Sequence, residues 1–283
     1  MTLDLGLVGK STEARTHAYT WKDTVLYALG IGAKLPELDY LYEGRGPKVH
    51  PSFAVVPAFA PIFELLAKTN ADLAMVVHGG QRVRMHAPIP PAGTFHTTAK
   101  IRGIYDLRRL ATVVVDTETK SDTGALLFDT TWTIIVRNAG GFGGDTPPKD
   151  DREADVKVPK DRAPDFRVEE TTTKEQALLY RLSGDLNPLH ADPEFAARVG
   201  FEQGPILHGL CTYGFMVRHV AQGACGGDAS KLTAFEAQFR KPVWPGDTLV
   251  TEGWNMAPGK LALSVRVKER DEVVVTGWAG LGA

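Results

Sequence analysis

The 283-residue chain has few cysteines, little net charge and no long apolar run, and each shortage excludes a class of protein. Its two cysteines, Cys211 and Cys225, are too few for a disulfide framework, which favours a reducing compartment. A net charge of −2 gives no electrostatic reason to expect a nucleic-acid partner. The longest apolar stretch, 53–63, is interrupted by Pro57 and Pro61 and is shorter than the ~20 residues that span a bilayer.

Targeting patterns are also missing from both ends of the sequence. The N-terminus, MTLDLG, has no basic region followed by an apolar one, so we expect no secretory signal. The C-terminal tripeptide, LGA, is not a peroxisomal address. A content of 43% hydrophobic and 23% charged residues is that of an ordinary globular protein. We therefore predict a cytoplasmic protein with no membrane or nucleic-acid partner.

The length of the chain favours two domains of about 140 residues each. Between them, the segment 140–165 is rich in glycine, proline and charge, which is typical of a surface linker. Its glycines do not predict a dinucleotide loop, because a proline pair and a charge run stand where the helix would begin. We therefore predict a first domain over 1–143, a linker over 144–165 and a second domain over 166–283.

The two sides of the linker contain similar residues in the same order. Three matches fall at nearly constant spacing, which indicates an internal duplication. The matched residues are Tyr27 with Tyr180, Pro91 with Pro245 and Trp132 with Trp278, at offsets of 153, 154 and 146.

Each half shows a helical region followed by β-rich runs joined by short turns, a pattern that favours an antiparallel sheet. In the second half, 209–221 repeats apolar residues at helical spacing. An α+β fold with one helix packed on a sheet in each half is predicted. The predicted strands are 82–85, 94–105, 111–119 and 126–136 in the first half, and 234–239, 247–255, 261–270 and 273–278 in the second.

The run YRLSGDLNPLH at 180–190 places Asp185, Asn187 and His190 within six residues. The proline after Asn187 biases that residue toward an extended conformation, and the glycine before Asp185 permits a sharp bend. We therefore expect the three side chains to converge from a loop, where an acid, an amide and an imidazole can position water. The same Asp-x-Asn-Pro pattern is also ordinary turn chemistry, so the run alone leaves both interpretations open.

The residues that follow make the pattern more specific. ADPEFAAR stands at 191–198 and GPILHGLCTYG at 204–214. The whole run 180–214 resembles the signature of type 2, (R)-specific enoyl-CoA hydratases, the MaoC-like dehydratases. That resemblance implies a double hot-dog fold, in which each antiparallel sheet wraps around a central helix. It also implies an acyl-CoA substrate, reversible hydration of trans-2-enoyl-CoA to (R)-3-hydroxyacyl-CoA, no cofactor, and a homodimer.

Hydration of an enoyl thioester requires a base for the water, a proton for the α-carbon and stabilisation of charge on the thioester oxygen. Asp185 and His190 are candidates for the first two, and Asn187 for holding the water or the substrate in line. A glycine-proline break before the apolar helix is expected to leave amides near His208 and Gly209 free at a helix N-terminus. By resemblance, Gly209 supplies the oxyanion-hole amide.

Further residues are assigned to substrate binding or set aside. Tyr180 and His208, within the same signature, are assigned to substrate binding. Arg240 and Lys241 precede a Pro-Val-Trp-Pro turn, where a basic pair can contact CoA phosphates; a solvated strand end is the alternative. Cys211 is interpreted as a small buried residue in preference to a nucleophile. No carboxylate or cysteine completes a metal-ligand spacing with the histidines, so no metal site is predicted.

The first half departs from the catalytic pattern. At the 153-residue offset, Gly32 stands for Asp185 and Glu37 for His190, so one active site per chain is predicted. The prolines in the region of the first central helix are expected to leave that helix short or broken, because interior proline costs about 3 kcal/mol. By resemblance, this degenerate repeat makes room for a medium, long or bulky acyl chain.

Two other functions fit the same features less well. A hot-dog acyl-CoA thioesterase shares the fold but directs water at the carbonyl, whereas the complete Asp-x-Asn-Pro-x-His run matches the hydratase pattern. A non-catalytic acyl-CoA-binding subunit is disfavoured because both Asp185 and His190 are retained. Fatty-acid oxidation, polyester precursor supply and sterol side-chain breakdown are all compatible pathways.

Overall fold

The computed structural model describes residues 3–148 and 156–282, so the middle of the predicted linker lies outside the described residues. Six α-helices and ten strands lie in the described part of the chain. The helices are α1 (Trp21–Gly30), α2 (Leu38–Leu41), α3 (Val55–Lys68), α4 (Gln176–Tyr180), α5 (Pro193–Arg198) and α6 (Gly209–Ala224). The strands are β1 (Arg15–Tyr19), β2 (Val76–Met85), β3 (Gly93–Leu107), β4 (Leu110–Lys120), β5 (Leu126–Arg137), β6 (Phe166–Thr171), β7 (Leu232–Phe239), β8 (Thr248–Ala257), β9 (Lys260–Val267) and β10 (Glu272–Leu281).

All ten strands form one antiparallel sheet in the order β1-β3-β4-β5-β2-β7-β10-β9-β8-β6. The five strands of the first half and the five of the second follow the same order outward from the central pair β2 and β7. The duplication expected from the sequence therefore appears as a symmetric sheet. Together with the helices packed on it, this arrangement confirms the predicted α+β class and the double hot-dog fold.

Helix α6 is the central helix of the second half and is buried at every position from Leu210 to Ala221. Helix α3 holds the same place in the first half, where it packs against β1, β3 and β4. The expectation that prolines leave this helix short or broken is wrong, because α3 is continuous with Pro61 in its interior. Pro57 lies in the first turn, where its missing amide costs nothing. Burial of Ile62 and of the leucines that follow stabilises the helix despite Pro61.

The helical stretch Pro51–Lys68 is long and apolar enough to cross a membrane by length and composition, with a mean hydropathy of 1.3 over 18 residues. In the folded chain 61% of this stretch is buried. Its apolar character is that of a core helix enclosed by a sheet.

The predicted strands are all present, with three kinds of difference at the margins. The run predicted over 82–85 is the end of the longer strand β2, which begins at Val76. The run predicted over 261–270 ends at Val267, because Lys268–Arg270 form a 3₁₀ turn before Asp271 at a φ of 50°. Strands β1 and β6 were not predicted. Both are short strands at the two edges of the sheet. Their residues are largely polar and exposed, so the sequence shows no clear alternation of apolar and polar residues there.

Candidate active site

The loop after α4 has the irregular backbone that its sequence predicts. A 3₁₀ turn leads to Gly184, whose φ of 126° bends the chain. The Oδ1 atom of Asp185 accepts a hydrogen bond from the Asn187 amide at 3.2 Å. The Oδ1 atom of Asn187 accepts one from the Leu189 amide at 3.0 Å and so caps the turn Pro188–His190. Asn187 is therefore an exposed capping residue, and its part in holding water stays a prediction.

Two histidines meet beside this loop. The Nδ1–H of His190 donates to the Ile206 carbonyl at 2.9 Å, since a carbonyl can only accept, so Nε2 carries the lone pair. The Nε2–H of His208 donates to the Asp185 carbonyl at 3.1 Å, and its Nδ1 atom is buried without a partner among the described residues. The two rings stack with centroids 3.7 Å apart. Both imidazoles are thus held in fixed orientations and tautomers.

Asp185, His190 and His208 each offer one side-chain atom within 4.8 Å of the others. Burial raises the pKa of Asp185, although the charge of His190 opposes the shift. Burial also lowers the pKa of His190, against the charge of Asp185, and holds the pKa of His208 well below its usual value. Burial therefore shifts the pKa of the carboxyl and the pKa values of the two imidazoles in opposite directions and toward the uncharged forms, as is common for groups that exchange protons in a reaction.

The same three side chains are also donors that a divalent transition metal accepts. The sequence shows no metal-ligand spacing for these three residues, because His208 lies on a different segment from Asp185 and His190. The absence of a metal site stays a prediction.

Tyr180 and Cys211 lie beneath the catalytic loop. The Tyr180 side chain is buried, with its ring centroid 5.0 Å from that of His208 and 5.9 Å from that of Tyr27. Cys211 is buried and donates a hydrogen bond to the Gly30 carbonyl at 3.3 Å. Burial raises the pKa of its thiol well above the usual value. The interpretation of Cys211 as a buried packing residue is confirmed.

Gly209 is the first residue of α6, directly after the buried His208. The amides of Cys211 and Thr212 donate to the His208 carbonyl, and no acceptor for the Gly209 amide occurs among the described residues. A Cβ atom on Gly209 would lie 3.4 Å from the ring of Phe239, so this ring lies beside the start of the helix. A free amide at the N-terminus of a long buried helix is suited to a developing oxyanion.

A row of aromatic rings leads from Phe239 to α3 and is called here the aromatic path. It consists of Phe239, His78, Trp132, Phe59 and Phe63. Successive ring centroids are 5.1, 4.7, 6.3 and 4.4 Å apart. Burial lowers the pKa of His78 to about 4, against the hydrogen bond with Gly80, so this imidazole is neutral at neutral pH. The path is therefore an uncharged row of rings that joins the two halves, with the buried Trp132 in its middle.

A cavity of about 500 Å³ lies on the side of the loop where His190 forms part of the wall. Its other lining residues include Leu178, Trp244 and Lys174. Arg240 and Lys241 are not among the residues that line it. The Nε–H of Arg240 donates to Thr276 at 3.2 Å, and the ammonium group of Lys241 lies 3.8 Å from Glu272. Their contact with CoA phosphates stays a prediction.

The counterpart of the Asp185–His190 loop in the first half contributes Glu37 to a buried ion cluster. Glu37 accepts a hydrogen bond at 2.7 Å from Arg218, which is 1% exposed. Arg218 also donates to the Ile31 carbonyl at 3.0 Å and to Glu170 on β6. Gly32 has a φ of +84°, and a Cβ there would lie 2.4 Å from Phe215. Sequence reasoning missed this cluster, because Arg218 stands within an apolar helix with no motif around it.

The fold and the site together define a double hot-dog protein with one acid-imidazole centre at the N-terminus of a buried helix. The family model for the MFE-2 hydratase 2 N-terminal domain matches residues 17–138, and that for the MaoC-like domain matches residues 155–276. The chain belongs to the MaoC-like dehydratase family, in the form that pairs these two domains.

Relatives match over nearly the whole chain. It is 38% identical to 3-hydroxyacyl-thioester dehydratase Y of Mycobacterium tuberculosis, over 96% of this chain and 94% of that protein. It is 36% identical to the probable enoyl-CoA hydratase 2 of Dictyostelium discoideum, over 99% of this chain and 97% of that protein. The crystal structure of a MaoC-like dehydratase from Phytophthora capsici matches with a TM-score of 0.88 and 31% identity, covering 100% of this chain and 98% of that one.

Proposed function

We propose that the protein is a hydro-lyase that catalyses the reversible hydration of trans-2-enoyl-CoA to (R)-3-hydroxyacyl-CoA. The observation that carries the proposal is the convergence of Asp185 and His190 close to a helix that presents the free amide of Gly209. The names of relatives as an enoyl-CoA hydratase 2 and a 3-hydroxyacyl-thioester dehydratase support the same reaction.

The mechanism follows from the three groups. The Gly209 amide donates to the thioester oxygen, which withdraws electron density from the double bond and makes the β-carbon electrophilic. Asp185 and His190 together hold one exchangeable proton. One member of the pair takes a proton from the attacking water while a proton passes from the pair to the α-carbon. The pair therefore ends the reaction with the proton count with which it began.

Incubation with crotonyl-CoA tests this reaction directly. We expect the absorbance of the conjugated double bond to fall, no free thiol to appear, and chiral analysis to find the (R)-3-hydroxy product. Release of thiol would indicate a thioesterase instead. No change in either signal with crotonyl-CoA and with a ten-carbon enoyl-CoA would indicate a non-catalytic acyl-CoA-binding protein, and a mainly (S) product would contradict the assignment.

We infer further that the aromatic path binds the acyl tail, so that medium, long or bulky chains are preferred. The path begins next to Gly209, where the thioester lies in the proposed mechanism, and ends on α3 of the first half. Phe239, His78, Phe59 and Phe63 are each only partly buried, so they offer apolar surface to a ligand. Covering such surface is favourable, at about 0.8 kcal/mol for each methylene buried.

The chain-length profile tests the aromatic path. We expect kcat/KM to rise, or at least not to fall, from a four-carbon to a ten-carbon enoyl-CoA. Phe63→Ala is expected to lower kcat/KM for the longer substrate about tenfold and leave crotonyl-CoA unchanged, because only a long tail reaches α3. Phe142→Ala, a partly buried phenylalanine outside the path, is the matched control. A profile that peaks at four carbons and collapses beyond would remove the inference.

The assembly and the location of the protein are predictions. A homodimer stays a prediction, supported by the family to which the chain belongs. A cytoplasmic location stays a prediction as well, supported by two cysteines that are buried and free. A place in fatty-acid metabolism is proposed because the substrate is an enoyl-CoA.

A further inference from the structure

We infer that His208 is a positioning residue of the hydration reaction. It holds the Gly209 amide in a fixed place relative to the Asp185–His190 loop, and it does not itself contact the substrate. The inference rests on the hydratase function proposed above. It replaces the substrate-binding role that the sequence predicts for His208, and it explains how two segments of the site that lie 23 positions apart are held together.

The side chain of His208 is out of reach of a ligand. It is 1% exposed, and it is not among the described residues that line the cavity beside His190. Its ring packs against two others, with its centroid 3.7 Å from that of His190 and 5.0 Å from that of Tyr180. An effect of His208 on the reaction is therefore exerted through its neighbours.

One hydrogen bond joins the His208 side chain to the backbone of Asp185. The Nε2–H group donates to the Asp185 carbonyl at 3.1 Å. The other ring nitrogen, Nδ1, is buried without a partner among the described residues, and such a nitrogen is costly. An apolar ring would fill the same space without that cost. What the imidazole adds at this position is therefore the donor to the loop.

The backbone of His208 leads directly to the Gly209 amide. The His208 carbonyl and the Gly209 N–H group belong to one planar peptide unit. That carbonyl accepts hydrogen bonds from the amides of Cys211 and Thr212, both at 3.1 Å, so the orientation of the peptide unit is fixed at the start of α6. His208 therefore links the loop, through its side chain, to the oxyanion donor, through its backbone.

The ring of His208 also supports the imidazole of His190. The Ile206 carbonyl holds the edge of the His190 ring at Nδ1, and the His208 ring covers one of its faces. Burial keeps the pKa of His208 well below its usual value, so the covering ring is uncharged at neutral pH. The lone pair of His190 Nε2 is thus held in one direction relative to the Gly209 amide.

Catalysis requires these groups to act on one substrate at the same time. The oxyanion donor binds the thioester oxygen while the acid-imidazole pair acts on water and the α-carbon. A misplacement of about 1 Å between such groups costs on the order of 10²-fold in rate. The loss falls on kcat, because the surfaces that bind the rest of the substrate are unchanged.

Two substitutions of His208 test the inference with crotonyl-CoA. His208→Phe keeps a ring and removes the Nε2 donor, whereas His208→Gln keeps an amide donor near the same point. We expect His208→Phe to lower kcat about 10²-fold and to change KM by no more than about twofold. His208→Gln is expected to recover at least tenfold of that loss.

His219→Phe is the matched control. His219 is also a buried histidine of α6, and its ring nitrogens bond Thr251 and Glu170, away from the Asp185–His190 loop. We expect this variant to keep kcat within about twofold, even where thermal denaturation shows that it is less stable. Equal losses of kcat in His208→Phe and His219→Phe would reduce His208 to a packing residue and overturn the inference.

A double-variant cycle with His190→Ala gives a readout that loss of stability would not change. If His208 acts through the Asp185–His190 loop, adding His208→Phe to His190→Ala lowers kcat by less than about tenfold, so the two losses do not multiply. Losses that multiply in full would show that His208 acts independently of His190, against the inference.

The remaining outcomes separate this inference from the proposed function. A higher KM with unchanged kcat in His208→Phe would make His208 a substrate-binding residue instead. A His208→Gln variant that is no more active than His208→Phe would rule out the donor. If His208→Phe does not fold, a loss of more than about tenfold in folded His208→Gln overturns the inference by itself. If the unaltered protein hydrated neither crotonyl-CoA nor a ten-carbon enoyl-CoA, the proposed function itself would be wrong.

Discussion

Asp185→Asn and His190→Ala are each expected to lower kcat for enoyl-CoA hydration by about 10²- to 10⁴-fold while the protein stays folded. Asparagine at 185 keeps an oxygen that can accept from the Asn187 amide. The backbone hydrogen bonds from the amides of His190 and Ala191 do not involve the imidazole, so we expect the loop to keep its shape in both variants. The asparagine cannot take or give the proton that the carboxyl exchanges. Steady-state kinetics with crotonyl-CoA, together with circular dichroism of each variant, measures both parts of the prediction.

Asp192→Asn is the matched control for the carboxyl change. Asp192 lies seven residues after Asp185 and caps α5 through the amides of Glu194 and Phe195. Asparagine caps a helix about as well as aspartate, so we expect this variant to keep wild-type turnover. Near wild-type kcat in Asp185→Asn or His190→Ala would show that the residue is not catalytic.

Local patterns were sufficient to predict the irregular loop of Asp185 and His190 and most of the strands. The loop of Asp185 and His190 is defined by a glycine and a proline within a few residues, and backbone restrictions of that kind act locally. The strands of the meander show apolar alternation over enough residues to be recognised. Strands β1 and β6 are short and polar, and only their pairing with β3 and β8 makes them strands.

Long-range contacts account for what the sequence did not predict. Pro61 would disrupt an isolated helix, and burial of the surrounding side chains against the sheet overrides that cost. The cavity wall joins Leu178 on α4 to Trp244, which are 66 positions apart in sequence. In the sequence, Glu37 shows only that the first half has no histidine at the position equivalent to His190. The hydrogen-bond partner of Glu37 is Arg218, which lies 181 residues away. Such pairs carry no spacing signal.

Arg218→Met is expected to lower the free energy of unfolding by about 3–5 kcal/mol. The methionine fills much of the same buried volume, but it leaves the carboxylate of Glu37, 16% exposed, without its partner. Glu170, 10% exposed, loses one cation and keeps Lys34 at 2.8 Å and His219 at 3.3 Å. An uncompensated buried charge is costly, whereas the intact cluster satisfies every member. Chemical denaturation followed by tryptophan fluorescence measures the loss as a lower midpoint.

The dependence of the free energy of unfolding on pH, measured at acid pH, tests the same cluster of Arg218, Glu37 and Glu170. Burial raises the pKa of Glu170, but hydrogen bonding by His219 and the charge of Arg218 outweigh it and hold the pKa at about 2. The stabilisation is therefore complete above the unfolded value of 4.5 and is lost as pH falls from there toward 2. Arg218→Met should weaken this dependence, because one cause of the low pKa is removed.

Two further variants test whether the loss of stability in Arg218→Met comes from a buried charge left without its partner. Arg15→Met breaks an ion pair with Glu64 in which the arginine side chain is 60% exposed, and we expect a loss of no more than about 1 kcal/mol. Adding Glu37→Gln and Glu170→Gln to Arg218→Met removes the two carboxylate charges that Arg218 balances and should recover part of the stability. If the triple variant were no more stable than Arg218→Met, lost packing would be the better explanation. If Arg218→Met matched the unaltered protein, the cluster that joins the two halves would not stabilise the fold.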